Sequence, residues 1–254
     1  LARFIWPLTK KYDVVLAEIE GGNLRNAIPR AASAVIGVPA AAKEEVRIAM
    51  NKYIADVEFE YKGVEPNLVI DLESADAPAQ CIDKKTAHNL ICALYCAPHG
   101  VISMSRELEG LVETSTNLAA IKMLPGNEIL VTTSQRSSVD SRKWDIAYQV
   151  ETVFALAGAN VTHGDGYPGW APNPDSSLLH CTVESYKSLF GTEPKVRAIH
   201  AGLECGLFLE KYPHLEMVSF GPTLRGVHSP DERLEIATVD KFWQLLLDVL
   251  KKVK

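Results

Sequence analysis

Helix-forming and strand-forming segments alternate through the last third of the chain, and this rhythm limits its possible folds more than any other feature. Residues 176 to 190, 203 to 211 and 239 to 253 carry helical spacing, while 195 to 200 and 216 to 220 are short runs that read as strands. Strands separated by helices imply a parallel sheet covered on both faces. Two strands make a poor sheet alone, because edges and faces stay uncovered. The stretch is therefore expected to need partner strands, and sequence ahead of Leu1 is the expected donor.

The earlier part of the chain has a different rhythm. An amphipathic helix tail is expected over residues 1 to 8, stopped by Pro7, and Tyr12 to Glu20 alternates as a half-buried strand does. Gly21-Gly22 turns the chain into a second strand, Ala31 to Val38, ended by Pro39. Lys43 to Val57 places Val46, Ala49, Met50, Tyr53, Ile54 and Val57 at helical spacing, with Glu44 and Glu45 in the first turn. Strands are expected at Glu58 to Tyr61 and Asn67 to Leu72, then a helix from Lys84 to Tyr95 ended by Ala97-Pro98-His99-Gly100. A strand around Thr116 to Lys122, a turn at Pro125-Gly126-Asn127, a strand Glu128 to Ser134, a helix Asp140 to Leu156 and a strand near Asn160 to His163 follow. Strand, strand, helix, strand thus occurs twice, with Arg25-Asn26-Ala27 set against Thr116-Asn117-Leu118, which suggests a pseudo-duplicated α+β layer. Gly164 to Pro174, rich in glycine and proline, is the natural boundary.

With 254 residues, 47% of them apolar, the chain can bury a sizeable core, and two domains are expected. A net charge of −6 argues against a nucleic-acid partner, which needs a basic face to displace counterions. The apolar runs are short and interrupted, so neither a transmembrane helix nor a signal peptide is expected, and the setting expected is cytoplasmic. Five irregularly spaced cysteines do not read as a disulfide framework and are expected to be reduced. A chain opening on Leu1-Ala2-Arg3-Phe4 is consistent with an internal fragment.

Several side chains stand where chemistry is often placed, in loops at strand ends. His228 follows a strand and a Gly-Pro turn and precedes Asp231-Glu232, which could accept its second N–H as the partners of metal-bound histidines do. A surface-loop histidine is the plainer alternative. Glu204, in His200-Ala-Gly-Leu-Glu204-Cys-Gly206, has small neighbours that let a ligand near the backbone, or it simply favours a helix N-terminus. Arg136 lies between a strand and a helix, where a guanidinium can hold a carboxylate with two parallel bonds; a solvated arginine is the competing reading. Arg25 and Arg142 are weaker candidates for that role. Asn26 offers an amide donor for a substrate backbone or a developing oxyanion, or else stabilises its own turn, and Asn117 could take either part. His88, Cys92, Cys96 and His99 look superficially like a zinc cluster, but the spacing is not that of accepted sites and apolar residues interleave, so core packing is expected. Gly164-Asp165-Gly166 lacks the strand, helix and lysine that a phosphate loop requires.

The segments His200 to Gly206 and Phe220-Gly-Pro-Thr-Leu-Arg-Gly-Val-His228-Ser-Pro-Asp-Glu232 resemble the aminoacyl-histidine dipeptidase branch of the co-catalytic zinc aminoacylase and carboxypeptidase metallopeptidase family. The resemblance runs through the whole chain. It implies an α/β, two-domain metallopeptidase architecture: residues 1–163 as most of an α+β lid and dimerisation domain, and 164–254 as the C-terminal part of an α/β/α catalytic domain. It further implies hydrolysis of Xaa-His and other dipeptides with two divalent metal ions, usually zinc, and a homodimer formed through the lid. On that resemblance His228 is a metal ligand, Arg136 clamps the substrate carboxylate, Asn26 reaches the substrate and Glu204 helps form its pocket. The family's general base and remaining ligands are expected before Leu1, so this chain alone is expected to be inert, since one imidazole cannot hold two zinc ions. The alternatives are a non-catalytic lid or dimerisation module, and a tripeptidase or aminoacylase of the same family.

Overall fold

Phe4, Ile5 and Leu8 form one apolar stripe along the first helix, α1 (Ala2–Lys11), and all three are buried. Pro7 lies inside α1 and does not stop it, contrary to the sequence expectation. An interior proline costs about 3 kcal/mol. Burying the three stripe residues returns roughly 1.5–3 kcal/mol each, and Lys10 and Lys11 favour the C-terminal end of the helix dipole. The computed structural model describes residues 1–106, 110–164, 166, 170, 173–197, 204–227 and 231–253.

Helices and strands are mixed throughout, as an α/β class requires. Strand β1 (Val15–Gly21) pairs antiparallel with β2 (Ala32–Gly37), from Val15↔Gly37 to Gly21↔Ala32, with one irregularity between Leu16 and Glu18. Strands β3 (Gly100–Met104), β4 (Val112–Leu124) and β5 (Glu128–Ser137) complete a sheet ordered β2-β1-β4-β3, in which β5 also pairs with β4. β1 meets β4 antiparallel at Gly21↔Ile121. Gly126 and Asn127 both sit at positive φ between β4 and β5, as a tight hairpin connection demands. Helices α3 (Lys84–Cys96) and α4 (Asp140–Leu156) follow the boundaries expected for them closely, while α2 (Lys43–Glu60) starts where expected and runs past Val57. Asp83 caps α3 by accepting the N–H groups of Lys85 at 3.0 Å and Thr86 at 3.3 Å.

The chain divides into two units. The first comprises Leu1–Gly100, Thr116–Gln135 and Asp145–Thr162; the second comprises Val101–Ser115, Arg136–Trp144 and His163–Lys254. The first is built on a core joining α1, Leu16 and Ile19 of β1, Val46 and Met50 of α2, Ala87 and Ile91 of α3, and Ile121 of β4. A smaller cluster sets Ala93 against Val150 and Phe154.

The second unit holds helices α5 (Ser177–Phe190), α6 (Glu204–Lys211) and α7 (Val239–Lys252), and a two-residue ladder of β6 (Leu224–Arg225) with β7 (Arg233–Leu234). Ser176 caps α5 by accepting Leu179 N–H, and Gly191 closes it in the left-handed conformation at φ +66°. Glu216 reaches the same helix start, accepting Ser177 N–H at 2.8 Å, the Ser177 hydroxyl, and Leu178 N–H at 3.2 Å. Lys252 of α7 donates to Ser185 of α5 at 3.0 Å. Among the described residues, Leu245 and Val249 are the only buried apolar residues of this unit.

Several expected strands are absent. α2 continues through Glu58 to Glu60 and leaves Phe59 82% exposed, because a helix propagates by adding one bond per residue whereas a new strand needs a neighbour. Arg3 fixes that helix end with two 2.6 Å bonds to Glu60. Residues 67–72, 160–163, 195–197 and 216–220 run without strand pairing among the described residues. Residues 198–200 of the expected 195–200 strand lie outside the described residues. β3, conversely, was not legible: five residues opening on glycine give too short a pattern.

Candidate functional site

In the first unit, the turn carrying Asn26 is built by close approach rather than by its own sequence. Gly22, at φ +62°, lies so near β4 that a Cβ there would stand 1.9 Å from the Ala119 carbonyl oxygen. Its N–H donates to Ala31 O at 3.1 Å, and Ala27 N–H donates to Leu24 O at 3.3 Å. From β4, Asn117 Nδ2 donates to Ala27 O at 2.8 Å and, at 3.5 Å, to Arg25 O. Asn117 Oδ1 is buried and accepts no bond from the described residues. Leaving a buried acceptor unpaired costs about 1–3 kcal/mol. The position nevertheless holds an amide, so its donor half is what the turn uses.

Asn26 itself is exposed and its side chain bonds to nothing among the described residues. Next along β4, Leu118 N–H donates to His99 Nδ1 at 3.0 Å, which puts the neutral ring's proton on Nε2. His99 is thereby turned to the backbone rather than to its cysteine neighbours. His88 Nε2 and Cys92 Sγ lie 3.7 Å apart on α3, beside the buried Ile91 and Ala93.

In the second unit, Arg136 stands at the end of β5 beside Ser137, a buried residue whose hydroxyl lies 2.9 Å from that of Thr114 and accepts Val139 N–H at 3.0 Å. Strand alternation points Arg136 to the opposite face. Its neighbours are strongly engaged: Arg142 pairs with Glu113 at 3.1 Å, and Glu113 also accepts from Ser103 at 3.0 Å. The side chain of half-buried Arg136 has no hydrogen-bond or ion-pair partner among the described residues. A guanidinium fixed at its base and uncommitted at its tip suits a planar anion such as a carboxylate.

Of the other sequence candidates, Glu204 is the first residue of α6, with its side chain outside the described set, and His228 lies wholly outside it. Asn26 belongs to the first unit, and Arg136 with the start of α6 to the second. Among the described residues no three His, Cys, Asp or Glu side chains gather as a metal site. Sequence reasoning gave Asn117 either of two parts, because its contacts span some ninety residues and leave no local pattern.

Comparison with known proteins gives 38% identity over 253 residues to cytosol non-specific dipeptidase of Escherichia coli (strain K12), covering 100% of this chain and 52% of that relative. Succinyl-diaminopimelate desuccinylase of Sulfurovum sp. (strain NBC37-1) is 23% identical over 116 residues, which are 46% of this chain and 31% of that one. The crystal structure of aminoacylhistidine dipeptidase from Vibrio alginolyticus matches with a TM-score of 0.86 at 37% identity, over 100% of this chain and 51% of that one. The chain spans about half the length of the two dipeptidases it matches. A profile that begins just ahead of β1 and stops at the last residue of α7, over residues 13–252, covers nearly the whole chain, and by it this chain belongs to peptidase family M20/M25/M40.

Proposed function

We propose that this chain serves metal-dependent hydrolysis of dipeptides, Xaa-His dipeptides among them, as roughly half of a longer enzyme. The observation that carries the reading is Arg136: its side chain is uncommitted among the described residues while its neighbour Arg142 is engaged by Glu113. The dipeptidases similar to this chain across its full length support the same substrate class. Arg136 holds the free carboxylate of the dipeptide, Asn26 donates its amide to the substrate backbone or to the oxyanion, and Glu204 contributes to the pocket.

The described residues do not assemble a metal site among themselves. The ions, two in number and zinc by family resemblance, take most of their ligands from outside this chain, with His228 supplying one. Residues 1–163 form the lid and residues 164–254 part of the catalytic domain, and the chain alone turns over no dipeptide. A homodimer through the lid is part of the reading, supported by β2, which pairs with β1 alone among the described strands; a monomer in analytical ultracentrifugation of the full-length enzyme would remove it. A cytoplasmic setting is likewise proposed, and no helix among the described residues is long and apolar enough to cross a membrane.

The test compares a dipeptide with its C-terminal amide in the full-length enzyme, wild type against Arg136→Ala. Hydrogen bonds to a charged group contribute about 1.5–3 kcal/mol, so kcat/KM should fall roughly 10- to 100-fold more for the free acid than for the amide. Equal losses on the two substrates would make Arg136 structural.

A further inference from the structure

We propose that Asn117 is a positioning residue for the reaction: its side-chain amide clamps the Arg25–Ala27 turn of the first unit and so fixes the Asn26 amide for catalysis. The inference rests on the dipeptidase reading for its catalytic half and on the geometry alone for the clamp. Three features of β4 converge on one short turn. Asn117 Nδ2 donates to Ala27 O at 2.8 Å and lies 3.5 Å from Arg25 O, so it holds the carbonyls on either side of Asn26. Gly22, at the base of the same loop, is pressed against the Ala119 backbone. The two carbonyl oxygens fix the orientation of the amide, because the reverse orientation would set an oxygen against them, and Asn117 Oδ1 is left buried without a partner among the described residues.

Asn26, by contrast, is exposed, and its side chain is free among the described residues. A solvent-facing amide has many rotamers and few constraints. Its usefulness to a transition state depends on how firmly its backbone is held, and a displacement of about 1 Å can cost on the order of 100-fold in rate. Asn117 provides that restraint from a strand interior, without touching substrate.

The experiment uses the full-length protein with Asn117→Asp, which keeps shape but replaces the donor with a second acceptor, and Asn117→Ala as a variant free of added charge. Hydrogen exchange at the Ala27 amide should speed up at least about 10-fold in both variants, with the amides of α2 and α3 unchanged. On a dipeptide substrate kcat should fall about 10- to 100-fold with KM within about 2-fold. In an Asn26→Ala background neither variant should cause further loss, since a residue acting only through Asn26 has nothing left to position. Unchanged Ala27 exchange, or losses that multiply between the two sites, would overturn the proposal. If wild type hydrolyses no dipeptide, the proposed function falls, and the exchange measurement still decides the clamp.

Discussion

Replacing Gly22 by alanine places a methyl carbon 1.9 Å from the Ala119 carbonyl oxygen, 3.0 Å from its carbonyl carbon and 3.2 Å from Ala120 Cα. All three are main-chain atoms of β4, so no side chain can rotate away and β1 must part from β4 where Gly21 meets Ile121. Two costs combine. The left-handed conformation at φ +62° costs a residue with a Cβ about 1–2 kcal/mol, and overpacking against fixed atoms adds about 1–3 kcal/mol. The expected destabilisation is about 2–5 kcal/mol, or roughly 4–20 °C in Tm at the 2–4 °C per kcal/mol usual for chains of this length. Gly63→Ala is the control, since Gly63 has φ +86° with nothing within 4 Å of its added Cβ and so bears the conformational cost alone. Circular dichroism melts of both variants give the difference directly. Equal midpoints for the two would refute the close approach of β1 to β4.

Two other outcomes are expected. In the full-length enzyme, His228→Ala should lower the occupancy of one metal ion and remove most dipeptidase activity; unchanged metal by elemental analysis would sink the ligand assignment. Hydrogen bonds from the Ser177 hydroxyl and from the N–H groups of Ser177 and Leu178 hold Glu216 below the usual carboxylate range. Because the folded value is the lower one, this stabilisation of α5 is present above the unfolded pKa and is lost as pH falls through the folded one. Glu216→Gln should therefore flatten the acid limb of stability for residues 177–190, measured by hydrogen exchange, and an unaltered limb would exclude Glu216 as its source.

The helices were legible because each carries its own signal. α2, α3, α4, α5 and α7 present apolar residues at helical spacing to one side, and that pattern needs no knowledge of the partner. Strands carry half of their information elsewhere: Glu58 to Tyr61 alternates as a strand does, yet no described strand pairs with it and the helix α2 continues to Glu60. The same limit applied at 67–72 and 216–220. At the candidate site, Arg136 and Asn26 are proposed through the family resemblance, which says nothing of what their side chains bond to. Arg142 is engaged by Glu113, twenty-nine residues back along the chain, a pairing that no local pattern announces. Asn117 stood in the sequence as one half of an echo with the Asn26 segment, and the structure brings those two halves into direct contact.

The uneven burial between the units has a calorimetric consequence. Heat capacity rises on unfolding chiefly because apolar surface meets water, at about 0.45 cal/K/mol for each Å². Among the described residues most of the fully buried apolar side chains belong to the first unit, so it should contribute the larger share of the heat-capacity step, with half-buried apolar residues of the second adding the rest. The first unit should therefore show the more strongly curved stability profile.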